Sequence, residues 1–156
     1  MANINLRNLN ELEKFIKKNI PNQIIKEGKV ELALKIAMRE AVQKVVYDAY
    51  QPQVYSRRGD NGGLLDVDVM RITDAFVSGD AFNIIFQNVA TGSDTLSGEL
   101  LAPTIINGIE ENWQRTGVWS QPRDFITDTV NRLLNSNVLK VAIEDAFRKC
   151  GFKVSR

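Results

Sequence analysis

The feature that most constrains the fold is a long amphipathic segment from about Glu31 to Tyr50. Its apolar residues recur every three or four positions, at Leu34, Met38, Ala41, Val45 and Ala49, and its charged residues fall between them, at Lys35, Arg39, Lys44 and Asp48. This period predicts an α-helix with a broad apolar stripe that Pro52 ends. Two interpretations of the stripe stay open: core of this domain, or a surface partly shared with a neighbouring subunit.

A shorter helix is predicted upstream, over about residues 8–19. Asn8 followed three residues later by Glu11 is an N-cap signal, and apolar residues follow at helical spacing. Since proline cannot donate a backbone hydrogen bond, this helix is expected to end before Pro21. It forms either an arm or a part of the single domain predicted for residues 1–156.

Two β-prone runs, residues 67–77 and 81–90, are separated by the turn residues Ser78, Gly79 and Asp80. This pattern predicts an antiparallel hairpin over about residues 67–90. Strand alternation predicts that one face carries Val69, Ile72, Phe76, Phe82, Ile84 and Phe86.

Further helices are predicted over residues 100–112, with Pro103 in the first turn, and over residues 122–134 and 138–149, with Gly151 ending the last one. Together these elements predict one α+β domain, in which the long helix and the C-terminal helices pack on a small antiparallel sheet.

Composition excludes several kinds of chemistry. The chain has no histidine and one cysteine, so histidine-dependent triads, histidine-ligated zinc and intrachain disulfides are ruled out. Cys150 is expected to be a small packed apolar residue. The net charge of +1 is not that of a strongly basic protein. No signal-peptide core and no apolar run of about 18 residues occurs, so we expect neither export nor a membrane span.

Catalytic motifs are weak. Asp66 and Asp68 would share one face of a strand and could hold Mg²⁺, although a solvated hairpin edge is the better interpretation. No phosphate-binding glycine motif is present. We therefore predict a protein that is not an enzyme and that has no cofactor and no metal site.

The least regular stretch follows the long helix. It contains Tyr50, Pro52, Tyr55, Arg57, Arg58, Gly62 and Gly63. Its Arg-Gly-Asp tripeptide needs only three matches and is expected to arise by chance. Tyrosine beside arginine is typical of surfaces for single-stranded nucleic acid and equally of protein–protein hot spots. The nearly neutral net charge favours protein partners.

The same stretch, Tyr50-x-Pro52-x-x-Tyr55-x-Arg57-Arg58 and then Gly62-Gly63-Leu64-Leu65-Asp66, resembles a signature of small tail-component proteins of long-tailed phages of Gram-positive bacteria. The segments LLAPTIINGIEENW, WSQPRDFITDT and LKVAIEDAFRKCGFKV resemble the same family downstream. In order and spacing, the resemblance covers residues 31–154. The chain departs from the family pattern at Asp124 and before Gly108, so the subfamily is not fixed.

The resemblance implies a non-enzymatic structural protein of the virion, a neck or tail-completion component that assembles in the bacterial cytoplasm. Such proteins form rings, often six-fold, between the connector or adaptor above and the tail-tube or terminator proteins below. The only nucleic acid implied is DNA passing through the ring. The alternatives are another connector or tail-terminator ring subunit and, less favoured, a nucleic-acid-binding module.

Ring contacts join two different surfaces of neighbouring copies. We expect these contacts in the loops at residues 50–65, 91–99 and 113–123, and the candidate residues are Tyr50, Pro52, Tyr55, Arg57, Arg58, Gly62, Gly63, Trp113, Trp119 and Arg123. In the alternative interpretation, Tyr50 and Tyr55 only anchor their loop to the long helix. Trp119 and Phe125 are expected to pack on the core.

Overall fold

The computed structural model describes residues 9–49, 57–79, 81–92, 98–108 and 121–153. The helices are α1 (Leu9–Glu27), α2 (Lys29–Val42), α3 (Leu101–Asn107), α4 (Phe125–Asn135) and α5 (Val138–Lys149), and the strands are β1 (Met70–Ser78) and β2 (Ala81–Asn88). A π-helical turn (Gln43–Tyr47) extends α2, and a 3₁₀ turn (Val67–Val69) precedes β1. The predicted α+β fold is confirmed.

Helix α1 runs through Pro21 to Glu27, so the expected end before Pro21 is wrong. Pro21 is buried together with Ile20 and Ile24, and this side of α1 packs against β1 and α5. Tertiary burial of an apolar face supplies most of the stability of a helix in a protein. It therefore offsets the hydrogen bond that the proline removes. The predicted cap, Asn8, lies outside the described residues.

Helix α2 begins after Gly28, whose φ of 67° places it in the left-handed region that glycine adopts without strain. The predicted apolar stripe is buried at Leu34, Met38 and Ala41, whereas Val45 is only partly buried and Ala49, which follows the helical residues, is exposed. The regular helix then widens into the π-helical turn, in which the Asp48 N–H donates to the Gln43 carbonyl over 2.8 Å. Helical structure ends at Tyr47, five residues before Pro52, so the proline is not what ends it.

Strands β1 and β2 form the predicted antiparallel hairpin. The pairing shifts between Ile72 and Asp74, so Thr73 forms a bulge. An extra residue inverts the alternation beyond it. Ile72, Phe82, Ile84 and Phe86 pack inward, whereas Phe76 lies on the outer face, so its predicted orientation is wrong. Val69 lies in the 3₁₀ turn and packs against the core from there.

The buried apolar residues form two clusters. The first joins the C-terminal half of α2 to α3, to the start of α4 and to the loop before β1. The second joins α1, the N-terminal half of α2 and α5 to the inner face of the hairpin, and Cys150 packs partly buried against it, as predicted. Burial raises the pKa of the Cys150 thiol.

The remaining helices lie at their predicted positions: α5 has the predicted bounds, α4 begins three residues later and ends one residue later than predicted, and α3 is shorter. Gly108, with φ 74°, follows α3 at Asn107, so this helix ends before the expected Asn112. Gly151, with φ 91°, follows α5 as predicted. Ion pairs show that α4 runs antiparallel to α2, and the Asp145–Lys29 and Lys149–Glu27 pairs place the C-terminal half of α5 at the junction of α1 and α2. Asp128 pairs with Lys44 and Arg132 with Glu40, and then Asp145 of α5 pairs with Lys29.

Candidate assembly surface

The predicted contact loop is described from Arg57 to Asp66, and this range is called the arginine loop below. Tyr50, Pro52 and Tyr55 lie outside the described residues. The loop lies between the end of α2 and the open end of the hairpin. Leu64 and Leu65 anchor it by their burial in the first core cluster. Packing therefore holds the C-terminal end of the loop, and polar contacts of Arg57 and Arg58 hold its N-terminal end.

Arg57 packs on the end of α2. Its guanidinium carbon lies 4.5 Å from the centre of the Tyr47 ring, and Nη1 donates to the Tyr47 carbonyl over 2.7 Å. Burial raises the pKa of Tyr47 despite the opposing effect of the Arg57 charge. The π-helical turn brings both the ring and the carbonyl to this arginine. Arg57 thus anchors the loop to α2, the role that the sequence interpretation gave to Tyr50 and Tyr55.

The Arg-Gly-Asp tripeptide forms a turn whose charged groups bind within the chain. Arg58 donates to the Thr91 carbonyl beyond the hairpin, and Asp60 pairs with Arg39 of α2 over 3.1 Å. The Asn61 N–H closes the turn by donating to the Arg58 carbonyl over 2.9 Å. The tripeptide therefore bridges α2 and the segment after the hairpin.

Glycine is required for different reasons at Gly62 and Gly63, the two adjacent glycines of the arginine loop. Gly62 has a backbone φ of 77°, which residues other than glycine rarely adopt. Gly63 lies against the preceding turn, so that a Cβ atom there would stand 2.7 Å from the Gly59 carbonyl oxygen and 2.9 Å from the Gly59 nitrogen. The loop therefore depends on a close approach of two backbone segments that only glycine permits.

Asp66 and Asp68 do not lie side by side on a strand, and that expectation is wrong. Asp66 caps the 3₁₀ turn: Oδ1 accepts from the Asp68 N–H over 2.9 Å and Oδ2 from the Gly62 N–H over 2.7 Å. These N–H donors lower the pKa of Asp66. Across the described ranges, no group of three or more acidic or cysteine side chains is placed to hold a metal ion.

Asn88, at the end of β2, ties the arginine loop to the hairpin. The side chain is buried, and its Nδ2 donates to the Leu64 carbonyl over 2.8 Å while Oδ1 accepts from the Ala90 N–H over 3.1 Å. Backbone bonds continue the connection, from the Val89 N–H to the Val69 carbonyl and from the Leu101 N–H to the Ala90 carbonyl, each 2.8 Å. Sequence analysis did not single out this residue, since one asparagine at a strand end carries no periodic signal.

Replacing Asn88 with alanine is expected to lower the free energy of unfolding by about 1–3 kcal/mol, because it leaves buried backbone groups of Leu64 and Ala90 without partners. Denaturant unfolding of the purified protein measures this loss. Asn83→Ala is the control, since Asn83 lies on the outer face of the same strand. Equal stability of Asn88→Ala and the control would contradict the assigned role.

The same capping chemistry predicts how stability depends on pH. Hydrogen bonds from Thr127 lower the pKa of Asp124, and those from the Asp68 and Gly62 N–H groups lower that of Asp66. In both cases the unfolded chain binds the proton first as pH falls below the ordinary value of 3.8. Stability should therefore hold down to about pH 5 and fall as pH drops through 3.8 toward the lowered folded-state values.

Urea unfolding midpoints measured from about pH 7 to about pH 2.5 test this expectation. The control replaces both Asp66 and Asp124 with asparagine, which still caps helices but does not titrate. This variant should show a shallower fall in stability at low pH. An unchanged slope would assign the acid sensitivity to other groups.

The remaining predicted residues lie toward α4. The Arg123 N–H donates to the Ile105 carbonyl over 3.0 Å, which joins the start of α4 to α3. Asp124 caps α4 by accepting from the Thr127 N–H over 2.9 Å, and Phe125 is fully buried, as predicted. Trp113 and Trp119 lie outside the described residues. The structure therefore brings Arg57, Arg58, Gly62 and Gly63 into one loop and places Arg123 at a separate element.

Among the described residues, nine of the exposed large apolar side chains fall into three groups that sequence analysis did not predict as contact sites. The first consists of Leu32 and Ile36 on the outward side of α2 together with Val138 and Val141 of α5. The second, the outer hairpin face, consists of Phe76 and Ile85. The third, the α4 stripe, consists of Ile126, Val130 and Leu134 at intervals of four residues.

A signal for these groups was present in the sequence but could not be assigned. Leu32 and Ile36 lie outside the main apolar stripe of α2, and a helix with extra apolar positions is what the shared-surface interpretation requires. The outer hairpin face depends on the Thr73 bulge, which nothing in the local sequence marks. None of the described helices is both long enough and apolar enough to cross a membrane.

Comparison with known families identified the YomN family, whose profile matches residues 8–149. Comparisons with curated proteins and with solved structures gave no match. The YomN family is a Bacillus phage-region protein family, which agrees with the phage resemblance of the sequence at the level of phage association. Because the match spans well over half of the chain, this protein belongs to the YomN family of phage-associated proteins.

Proposed function

We propose that this chain is a structural subunit of a tailed phage particle, in which it forms a ring at the head–tail junction as a neck or tail-completion component. The family membership and the motifs around the arginine loop support the phage context. Each subunit contacts other copies of itself within the ring. The ring contacts connector or adaptor proteins above it and tail-tube or terminator proteins below it. We take the ring to be six-fold, because rings of the family that the sequence resembles are often six-fold.

The observation that carries the ring is the presence of two separate exposed apolar surfaces, the outer hairpin face and the α4 stripe. A ring contact is heterologous, so it needs two different surfaces on each copy. Phe76 and Ile85 are diagonal neighbours on the hairpin, and aromatic residues on exposed faces are common anchors in protein interfaces. In this arrangement the hairpin of one copy packs on α4 of the next.

The arginine loop suits contacts with the components above or below the ring. Its backbone is fixed by Arg57, Gly63, Asp66 and Asn88, as described above, and a fixed loop loses little conformational entropy when a partner binds. The guanidinium groups of Arg57 and Arg58 already bind backbone carbonyls, which favours a rigid protein-binding loop over an open surface for nucleic acid.

A phage carrying a stop codon in this gene tests the role. Electron microscopy of the lysate should show filled heads and separate tails, and supplying the protein from a plasmid should restore joined particles. Intact infectious particles from the stop-codon phage would contradict a structural role. Missing tails, with heads intact, would favour a tail-terminator position over the neck.

The hairpin contact is tested in the same system with Phe76→Ser combined with Ile85→Ser. We expect the purified variant to fold, since both side chains are exposed, and we expect joining of heads to tails to fail. Leu100→Ser, at an exposed apolar residue outside both surfaces, is the matched control. Normal infectivity of the double variant would contradict the assignment of the hairpin to the ring contact.

A further inference from the structure

The outward side of α2 carries a short row of residues with a charge at each end. Lys29, Leu32, Ile36 and Glu40 follow one another at intervals of three and four residues, so they lie on one side of the helix. Leu32 is 57% exposed and Ile36 49% exposed. This row is called the α2 face. It lies opposite the buried residues Val30 and Leu34, which pack toward the hairpin.

Helix α5 widens the apolar part of this face. The Lys29–Asp145 ion pair, 2.8 Å, fixes the register of α5 against α2. Ile36 lies seven residues after Lys29 on α2, and Val138 lies seven residues before Asp145 on α5. Both distances are about 10.5 Å of helix, so Ile36 and Val138 are level with each other. Leu32 is level with the turn that contains Val141. Val138, Val141 and Asp145 are separated by three and four residues, so they share one side of α5, and we place the exposed valines next to the apolar part of the α2 face.

The two ends of the α2 face differ in charge. At one end the Lys29 side chain is 53% exposed and its partner Asp145 31%. At the other end Glu40 is 58% exposed and its partner Arg132 29%. In each pair the residue on α2 is the more exposed one. A molecule that approaches the face therefore meets Lys29 as the more exposed partner of the ion pair at one end, the apolar centre, and Glu40 as the more exposed partner at the other end.

This arrangement is complementary to itself. A two-fold axis that passes between Leu32 and Ile36, perpendicular to α2, lays a second copy of the helix antiparallel on the first. Lys29 of each copy then meets Glu40 of the other, and the apolar centres meet between them. A two-fold contact uses one patch on both copies, and complementary charges fix its register.

We propose that two copies of the free protein pair through the α2 face around this two-fold axis. The proposal goes beyond the ring and does not depend on it, because the ring contact was assigned to the outer hairpin face and the α4 stripe. The partner is a second copy of the same chain. Pairing would bury the apolar α2 face of the free protein before it joins a particle.

Charge reversal tests the pair directly. Lys29→Glu makes both ends of the contact acid against acid, and Glu40→Lys makes both ends base against base. Each single variant should raise the dimer dissociation constant at least about tenfold, because like charges face each other. An equimolar mixture of the two variants can form a dimer with one chain of each kind. At one end of this dimer the two substituted side chains face each other, and at the other end the original Lys29 faces the original Glu40. Both ends then join opposite charges, so the mixture should regain dimers of this mixed kind.

Light scattering coupled to size-exclusion chromatography gives the mass. Sedimentation velocity over protein concentrations up to about 500 µM gives the dissociation constant, since a contact built on a few exposed side chains is usually weak. Lys17→Glu is the matched control, because Lys17 forms an exposed ion pair with Glu13 on α1, away from the α2 face. It should leave the mass of the wild-type dimer unchanged. Circular dichroism confirms that each variant is folded.

A second variant keeps the test independent of the charged residues. Leu32→Gln with Ile36→Gln removes the apolar centre at exposed positions, and it should also give monomers. A monomeric wild type over the whole concentration range would overturn the proposal. So would dimers that survive both single reversals, or a mixture of the reversed variants that stays monomeric. None of these outcomes alters the particle phenotypes expected for the proposed neck role.

Discussion

Phe125→Ala is expected to lower the free energy of unfolding by about 3–5 kcal/mol, the range found when a large buried aromatic side chain is removed. Phe125 is fully buried at the first turn of α4, in the cluster with Met38 and Val42 of α2 and Ile105 of α3. Losing the ring leaves a cavity where three helices meet. Denaturant unfolding followed by circular dichroism gives the change in free energy.

The matched control is Phe76→Ala, the same substitution on the outer hairpin face. Phe76 is exposed, so its loss should cost less than about 1 kcal/mol in the purified protein. The two substitutions also separate the roles of the two phenylalanines, since only the exposed one is assigned to the ring contact. Equal losses of stability at the two positions would contradict the described packing of α4.

Gly63→Ala has the second largest expected effect, a loss of about 2–4 kcal/mol, because a clash in tightly packed structure forces backbone shifts. The added methyl group would lie 2.7 Å from the Gly59 oxygen and 2.9 Å from its nitrogen, and neither backbone atom can rotate away. The arginine loop would open, and Leu64 would lose its position beside Asn88.

Gly79→Ala is the control for this substitution. Gly79 lies in the hairpin turn with φ 58°, and nothing stands within 4 Å of a Cβ atom there. It should cost about 1–2 kcal/mol from the left-handed backbone alone. The difference between the two variants measures the close approach at Gly63. If Gly63→Ala were no more destabilising than Gly79→Ala, the tight turn would not be present in solution.

The predictable part of the fold rests on periodicity. The apolar repeat of α2 and the Ser78-Gly79 turn signal gave the long helix and the hairpin, and Gly151 gave the end of α5. These are local patterns, in which the spacing of a few residues fixes the structure. The shorter bounds of α3 and α4 come from caps at Gly108 and Asp124, which override the apolar pattern around them.

The errors arose where distant contacts decide the outcome. Pro21 remains inside α1 because the helix buries its face on the hairpin and α5, an interaction that no local signal reveals. Phe76 faces outward because Thr73 shifts the register by one residue. Asp66 serves as a cap since the chain turns there before entering β1. In each case the sequence contains the residue but not the contact that fixes its role.

The candidate site was predicted only in part. The Gly62-Gly63 pair and the two arginines were singled out from the sequence, but their connections to Tyr47 and Thr91 depend on the π-helical turn and the hairpin end. The exposed apolar groups could not be identified, because an apolar residue beside a core stripe has the same local pattern whether it is buried or exposed. Exposure is a property of the folded chain.

The central claim is that this protein is a ring subunit at the head–tail junction, and a cryo-electron microscopy reconstruction of the purified phage neck tests it most directly. We expect a ring of density between head and tail into which this fold fits, with the hairpin of one copy against α4 of the next. Mature particles that lack the protein, or a neck without this fold, would contradict the claim.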